Sequence, residues 1–115
     1  MHKLICGFTI ALSVSHAVAS QYWFKTRIQA DSVQIEYVDR IDCAGYDALG
    51  CYRESYGRGT IQIRKGLQTY VESCVLKHEQ HHARGYDHPS GLQPFIDCGD
   101  GNWVSSETLQ KLGYL

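Results

Sequence analysis

The chain has 115 residues, of which 43% are hydrophobic and 20% are charged, with a formal net charge of −1. A chain of this length forms one small domain, and its near-neutral balance argues against nucleic acid as a partner, because such binding needs concentrated positive charge. No apolar run reaches the ~20 residues of a membrane-spanning helix, so we expect no stable membrane insertion.

The first 19 residues have the features of a cleaved signal peptide. Lys3 supplies a positive start, residues 4–14 form a largely apolar run, and residues 17–19 (Ala-Val-Ala) match the cleavage rule. We therefore expect cleavage before Ser20, a single domain over residues 20–115, and a secreted or periplasmic product.

Several short strands are predicted after this leader. In one of them, Val33, Ile35 and Tyr37 alternate with mainly polar residues, which is the period of a half-buried strand. A glycine-containing turn at residues 56–59 favours a hairpin. The predicted strands cover residues 22–29, 33–38, 51–55 and 60–64.

A helix is predicted to follow. Thr69 and Glu72 have the spacing of a capping box at a helix start. Val71 and Val75 lie on one face of such a helix, and this face continues into the histidines further along. Gly85 would end the helix, because glycine readily adopts a left-handed conformation.

Residues 78–88 carry the pattern HExxHxxGxxH without a mismatch. His78 and His82 are four residues apart, so both imidazoles project from one helix face and can bind one metal ion. The turn at Gly85 can bring His88 back as a third ligand. Glu79 would lie near the metal as a general base, and three imidazoles leave one position open, as in catalytic zinc sites.

This pattern resembles the extended zinc signature of the metzincin clan of metallopeptidases, over eleven residues of the chain. The resemblance implies that His78, His82 and His88 bind one Zn²⁺ per chain. It also implies that Glu79 is the general base and that Gly85 is the turn residue.

The chain departs from the metzincin pattern in one respect. Metzincins continue to a methionine turn beneath the metal, yet Met1 is the only methionine here. We therefore expect a minimal or divergent relative, in which another apolar residue underlies the metal: Leu92, Phe95 or Ile96.

The resemblance also suggests a place for substrate. Residues 60–64 would lie at the cleft and pair with an extended peptide, which is a general mode of peptide recognition. A purely structural interpretation is compatible with this one: Ile61 and Ile63 would pack on the helix.

Other polar residues near the motif have open roles. His81 lies beside the helix face that carries His78 and His82, and it is interpreted as a residue at the rim of the site, not a ligand. Tyr70, Arg84 and Tyr86 are candidates for stabilising an oxyanion, and their spacing does not choose among them. Further on, Ser105 is predicted to cap a short C-terminal helix.

Four cysteines remain after the leader, Cys43, Cys51, Cys74 and Cys98. An even number in a small exported domain favours two disulfides, and three pairings are possible. We favour Cys43 with Cys51, which closes a local loop, and Cys74 with Cys98, which fastens the chain after the motif to the helix. A second metal site is disfavoured because no CxxC spacing occurs.

These elements predict an α+β fold. A small sheet of three to four strands would pack on one zinc-binding helix, and a short C-terminal helix would follow. Two disulfides would stabilise this fold. The predicted function is a secreted zinc-dependent hydrolase, with a metallopeptidase favoured. Two alternatives stay open: an amidase that cuts peptidoglycan or another cell-wall amide at the same site, and a zinc-binding or interaction module without turnover.

Overall fold

The structure is a computed structural model that describes residues 23–89 and 95–115, so the expected leader lies outside the described residues. The fold is α+β, as predicted. Its elements in chain order are β1 (Phe24–Lys25), β2 (Ser32–Val38), β3 (Asp42–Cys43), β4 (Tyr46–Asp47), β5 (Gly50–Ser55), β6 (Arg58–Arg64), α1 (Thr69–Ala83), β7 (Tyr86–Asp87), β8 (Phe95–Asp97), β9 (Trp103–Ser105) and α2 (Ser106–Lys111). In the described part of the chain, no helix is both long and apolar enough to span a membrane.

The main sheet has three strands in the order β2-β6-β5. β6 is central, parallel to β2 and antiparallel to β5. Tyr56 and Gly57 connect β5 to β6 with φ values of 51° and 78°. Two consecutive positive φ values suit a tight hairpin turn whose twist matches that of the strands. The predicted hairpin is therefore confirmed.

The core lies between this sheet and α1. Ile61 and Ile63 from β6 pack with Val71 and Val75 from α1, and all four are at most 2% exposed. The structural interpretation of residues 60–64 is confirmed. Leu109 of α2 joins the same cluster.

The start of α1 differs from the prediction. The N-cap is Gln68, which makes no side-chain capping bond, and Thr69 is the first helical residue. The predicted capping box is therefore wrong. The amide of Gln68 donates instead to the hydroxyl of Tyr114, 2.8 Å away. Packing against the C-terminal residues thus fixes this helix end.

The end of α1 is held by an N-terminal strap, which we define as residues 23–30. The last carbonyls of a helix have no partner within the helix and need other donors. The Ala30 amide donates to the Ala83 carbonyl at 2.9 Å, and the amides of Thr26 and Arg27 donate to the Gly85 carbonyl at 2.8 and 3.1 Å. The strap contains only two strand residues, those of β1, which pair with β7.

Gly85 is required at the helix end for two reasons. Its φ of 101° lies in the left-handed region, as predicted. In addition, a Cβ at this position would collide with the carbonyl oxygen of Arg27 in the strap. The turn toward His88 and the docking of the strap thus depend on the same glycine.

Both predicted disulfides are present, Cys43–Cys51 and Cys74–Cys98, with Cα separations of 5.7 and 4.6 Å. The first joins β3 to β5. The second joins α1 to the residue after β8. Two disulfides are typical of proteins in non-reducing, extracellular surroundings. The C-terminal helix is also confirmed, with the Ser105 hydroxyl accepting from the Thr108 amide at 3.2 Å.

Candidate metal centre

The three predicted ligands converge on one point. His78 and His82 project from α1, and His88 follows β7 after the turn at Gly85. One ligand atom from each lies within 4.8 Å of the others. The Nε2 atoms of His78 and His88 are 3.1 Å apart. This spacing suits three donors around one small cation, so the group can hold a metal ion.

The rings are oriented by hydrogen bonds from their other nitrogens. Each Nδ1 lies close to a backbone carbonyl: Asp97 for His78 at 2.6 Å, Tyr86 for His82 at 2.9 Å, and Pro89 for His88 at 3.0 Å. A carbonyl can only accept, so Nδ1 carries the proton in each ring. The Nε2 lone pairs therefore remain free, which is the arrangement typical of metal-binding histidines.

His82 has a second partner that the sequence prediction missed. The Oδ1 atom of Asp87 lies 3.2 Å from its Nδ1. Asp87 in turn accepts hydrogen bonds from Thr26, at 2.6 Å, and from Arg27 of the strap. Burial alone would raise the pKa of Asp87, but these hydrogen bonds outweigh it and hold the pKa below its usual value. The carboxylate thus stays ionised beside the ligand.

Two of the three ligands, His78 and His82, are kept neutral by burial. Burial lowers the pKa of His78 to about 3; the Asp97 carbonyl opposes this shift and the neighbouring imidazoles add to it. Burial also lowers the pKa of His82. Because only the neutral imidazole binds a metal, protons compete weakly for these two rings.

Glu79 is close to the ligands but outside their hydrogen bonds. Its side chain is buried, and its Oε2 lies 4.0 Å from the Nε2 of His78. Burial raises the pKa of its carboxyl to about 8. A cation on the imidazoles would favour the ionised form, since an opposite charge within ~4–6 Å lowers a carboxyl pKa. Gly50 leaves room for this part of α1, because a Cβ there would collide with Val75 and would also lie 3.2 Å from Oε2 of Glu79.

A cleft of about 440 Å³ opens at this site. One wall carries Glu79 and the three ligands, and the other is formed by β5 through Gly50, Tyr52 and Glu54. Arg27 also lines the cleft. The Tyr52 hydroxyl donates to Glu54 at 2.5 Å. Burial raises the pKa of Tyr52 to about 12, and the hydrogen bond to Glu54 and its negative charge add to this effect, so the hydroxyl keeps its proton.

The candidates for oxyanion stabilisation do not lie in this cleft. Tyr70 is 51% exposed and Arg84 is exposed at the helix end. Tyr86 stacks on His81, with ring centres 4.5 Å apart. His81 lies outside the ligand group, as predicted, but it does not form the rim of the cleft.

The predicted substrate strand must be corrected. β6, which contains residues 60–64, has β2 on one side and β5 on the other. It has no free edge that an extended peptide can join. The alternation of apolar and polar residues predicted the strand. Its position in the sheet depends on pairing with distant strands, which periodicity does not reveal.

Of the three apolar residues expected beneath the ligands, the structure describes the surroundings of Ile96 alone. Leu92 lies outside the described residues, and the side-chain surroundings of Phe95 are not described. Ile96 packs against the hydrophobic core. The ring that contacts the ligands is Trp23, whose centre lies 5.0, 5.2 and 4.8 Å from those of His78, His82 and His88. No local pattern in the sequence linked it to the motif.

The sequence matches no protein-family model, and comparison with the curated proteins and with solved structures finds no significant match. The functional assignment therefore depends on the geometry of the site itself.

Proposed function

We propose that this chain is an exported, zinc-dependent hydrolase, and that it is a metallopeptidase of metzincin-like type. The observation that carries this proposal is the position of Glu79. A buried carboxyl with no hydrogen bond to a described residue lies beside three converging imidazoles and lines the same cleft. A protein that only binds metal needs the histidines but gains nothing from a buried acid without such a hydrogen bond, which is costly.

Zinc is the metal that fits the donor set best. Imidazole nitrogens suit zinc, copper, iron and nickel, whereas calcium and magnesium prefer oxygen. Three histidines with one open position form a recurrent catalytic zinc arrangement, and we infer one Zn²⁺ per chain. When bound, zinc would polarise a substrate carbonyl and acidify a water molecule.

The chain's own residues would supply the remaining steps. The ionised Glu79 carboxylate would accept a proton from the attacking water and then pass it to the leaving nitrogen. The Arg27 guanidinium lines the cleft and has N–H groups that can face a substrate oxygen, whereas the Tyr52 hydroxyl would have to release Glu54 before it could donate. Carbonyls behind the three ligands would hold each ring in the tautomer that presents its Nε2 lone pair during these transfers.

A peptide substrate has a suitable place along β5. Within the described residues, β5 pairs only with β6, so its other edge is free. The Leu49 carbonyl accepts from the Arg64 amide at 2.9 Å. Because pairing alternates along antiparallel strands, Gly50, Tyr52 and Glu54 direct their backbone groups away from β6. All three residues line the cleft, so a strand added here would pass the metal centre.

The test is a substrate panel for the exported protein loaded with zinc. A mixed peptide library and purified cell-wall fragments would be incubated with and without a chelator. Chelator-sensitive cleavage of peptides is the expected result. Cleavage of cell-wall fragments alone would favour the amidase, and no cleavage by a protein that holds one zinc would favour a binding module.

A further inference from the structure

Trp23 contacts all the imidazoles of the motif at once. Its ring meets those of His78, His82 and His88 edge to face, with interplanar angles of 67°, 65° and 89°. It also meets His81, with ring centres 4.4 Å apart. The Trp23 side chain belongs to the buried part of the molecule, although it comes from the first described residue of the strap.

The four ring centres form a nearly regular tetrahedron. The three ligand rings are 4.9 to 5.0 Å from one another, and Trp23 is about as far from each. Its position therefore lies over the centre of the ligand triangle, either on the cleft side or on the opposite side.

Two observations place Trp23 on the side opposite the cleft. It does not line the cleft, whereas Glu79 does. It packs against His81, which is two residues from Glu79 and so about 200° away around α1. Trp23 thus covers the side of the three ligand rings that faces away from the cleft. The side that faces the cleft stays open.

A rigid indole in this position can restrain motions of the imidazole rings that their hydrogen bonds allow. An Nδ1 bond fixes the tautomer of an imidazole but still allows the ring to tilt about that bond. Edge-to-face contact with one indole restrains the tilt of three rings together. The indole Nε1 is buried without a hydrogen-bond partner among the described residues, so within this part of the chain the ring is held by packing.

We propose that Trp23 is a positioning residue at the base of the metal centre, and that the N-terminal strap is therefore part of the metal site. This inference rests on the proposed function, because it requires a metal at the three histidines. Loss of the ring should weaken metal binding and distort the ligand geometry while the fold persists.

Fluorescence tests the placement directly. The chain has two tryptophans, so Trp103→Phe leaves Trp23 as the only tryptophan, whose emission can be excited selectively over that of the tyrosines. Binding of one Co²⁺ per chain should quench most of this emission, and excess Zn²⁺ should restore it. The matched variant Trp23→Phe leaves only Trp103, which pairs with Asp97 in the neighbouring strand, and its emission should be quenched less than that of Trp23. Saturation with Co²⁺, seen by its visible bands, without quenching in Trp103→Phe would overturn the placement.

Metal affinity and the Co²⁺ spectrum test the positioning role. Trp23→Ala should weaken Co²⁺ binding by about tenfold or more, as expected for loss of groups that orient ligands, and should shift the visible bands. Trp23→Phe keeps an aromatic ring and should stay within about threefold of wild type. Leu109→Ala, at a core residue of α2, should lower thermal stability but leave affinity and spectrum unchanged.

The outcomes separate this inference from the metal site itself. A wild-type protein that binds neither Co²⁺ nor Zn²⁺ would overturn the proposed function and the role of Trp23 with it. Normal binding by wild type, with the same affinity and spectrum in Trp23→Ala, would overturn the role of Trp23 alone. An equal loss of affinity in Leu109→Ala would also overturn it, because general destabilisation would then account for the effect.

Discussion

At the scale of single residues, the ligands are distinguished from their neighbours by where their nitrogens point. His88 has its Nε2 3.1 Å from that of His78 and its Nδ1 held by the Pro89 carbonyl. His81 belongs to the same motif but stacks on Tyr86. His88→Ala should therefore abolish tight zinc retention through gel filtration, whereas His81→Ala should retain one zinc per chain. Exchange of these two results would contradict the ligand assignment.

Asp87 links the ligand His82 to the strap, and its removal should be measurable. Asp87→Asn preserves the shape but removes the charge that faces both His82 and Arg27. We expect zinc affinity to fall by about tenfold, a typical cost for altering a group behind a ligand. A competition titration with a chromophoric chelator would measure it. Asp100→Asn, which removes a surface carboxylate paired with Lys77, is the control and should have no effect.

The sequence predicted the group of three histidines that could hold a metal ion because their spacing is local. Positions 78 and 82 share a helix face whatever the rest of the fold, and a glycine at 85 permits the turn that brings in His88. Trp23, Tyr52 and the Asp97 carbonyl could not be predicted in this way. They reach the site through contacts between distant parts of the chain, and no periodicity encodes such contacts.

At the scale of elements, the junction between α1 and β7 depends on Gly85. Gly85→Ala should destabilise the protein, because alanine is strained at φ 101° and its Cβ would collide with the Arg27 carbonyl. Gly113→Ala is the control: its φ is 80°, but no atom lies within 4 Å of the added Cβ.

Denaturant unfolding of the metal-free proteins would measure both variants. The strain common to both should cost about 1 kcal/mol, and the collision at Gly85 should add about 1 kcal/mol or more. Gly85→Ala should also weaken zinc binding, since the strap and His88 would shift together. Equal stability losses in the two variants would contradict the role given to the contact with the strap.

The predictions for strands and helices were incomplete where one sequence pattern is compatible with two structures. Alternation at Val33, Ile35 and Tyr37 correctly predicted β2, yet these side chains are 41 to 46% exposed. The reason is that α1 packs over β5 and β6 and leaves β2 at the edge of the sheet. Similarly, the Thr69 and Glu72 spacing fitted a capping box, but the N-cap is Gln68, whose amide donates to the Tyr114 hydroxyl.

At the scale of the whole molecule, the two disulfides should differ in their effect on the site. Cys98 follows Asp97, whose carbonyl accepts from the Nδ1 of His78. Replacing Cys74 and Cys98 together by alanine should lower the free energy of unfolding by about 2–4 kcal/mol and also weaken zinc binding.

Replacing Cys43 and Cys51, which are 8 residues apart rather than 24, should cost less stability and leave zinc affinity nearly unchanged. Thermal unfolding and zinc titration would be measured on both variants, and equal zinc affinities in the two would argue against the anchoring role of Cys98.

The central claim is that Glu79 performs catalysis at a metal site it does not help to build. Glu79→Gln tests it most directly, because glutamine keeps the shape but cannot accept the proton of the attacking water. Turnover of the peptide that wild type cleaves best should fall by at least about 100-fold. Zinc content, measured in parallel, should stay at one per chain because the three imidazoles are unchanged. A variant that cleaves as fast as wild type, with the same zinc content, would contradict this account of the enzyme.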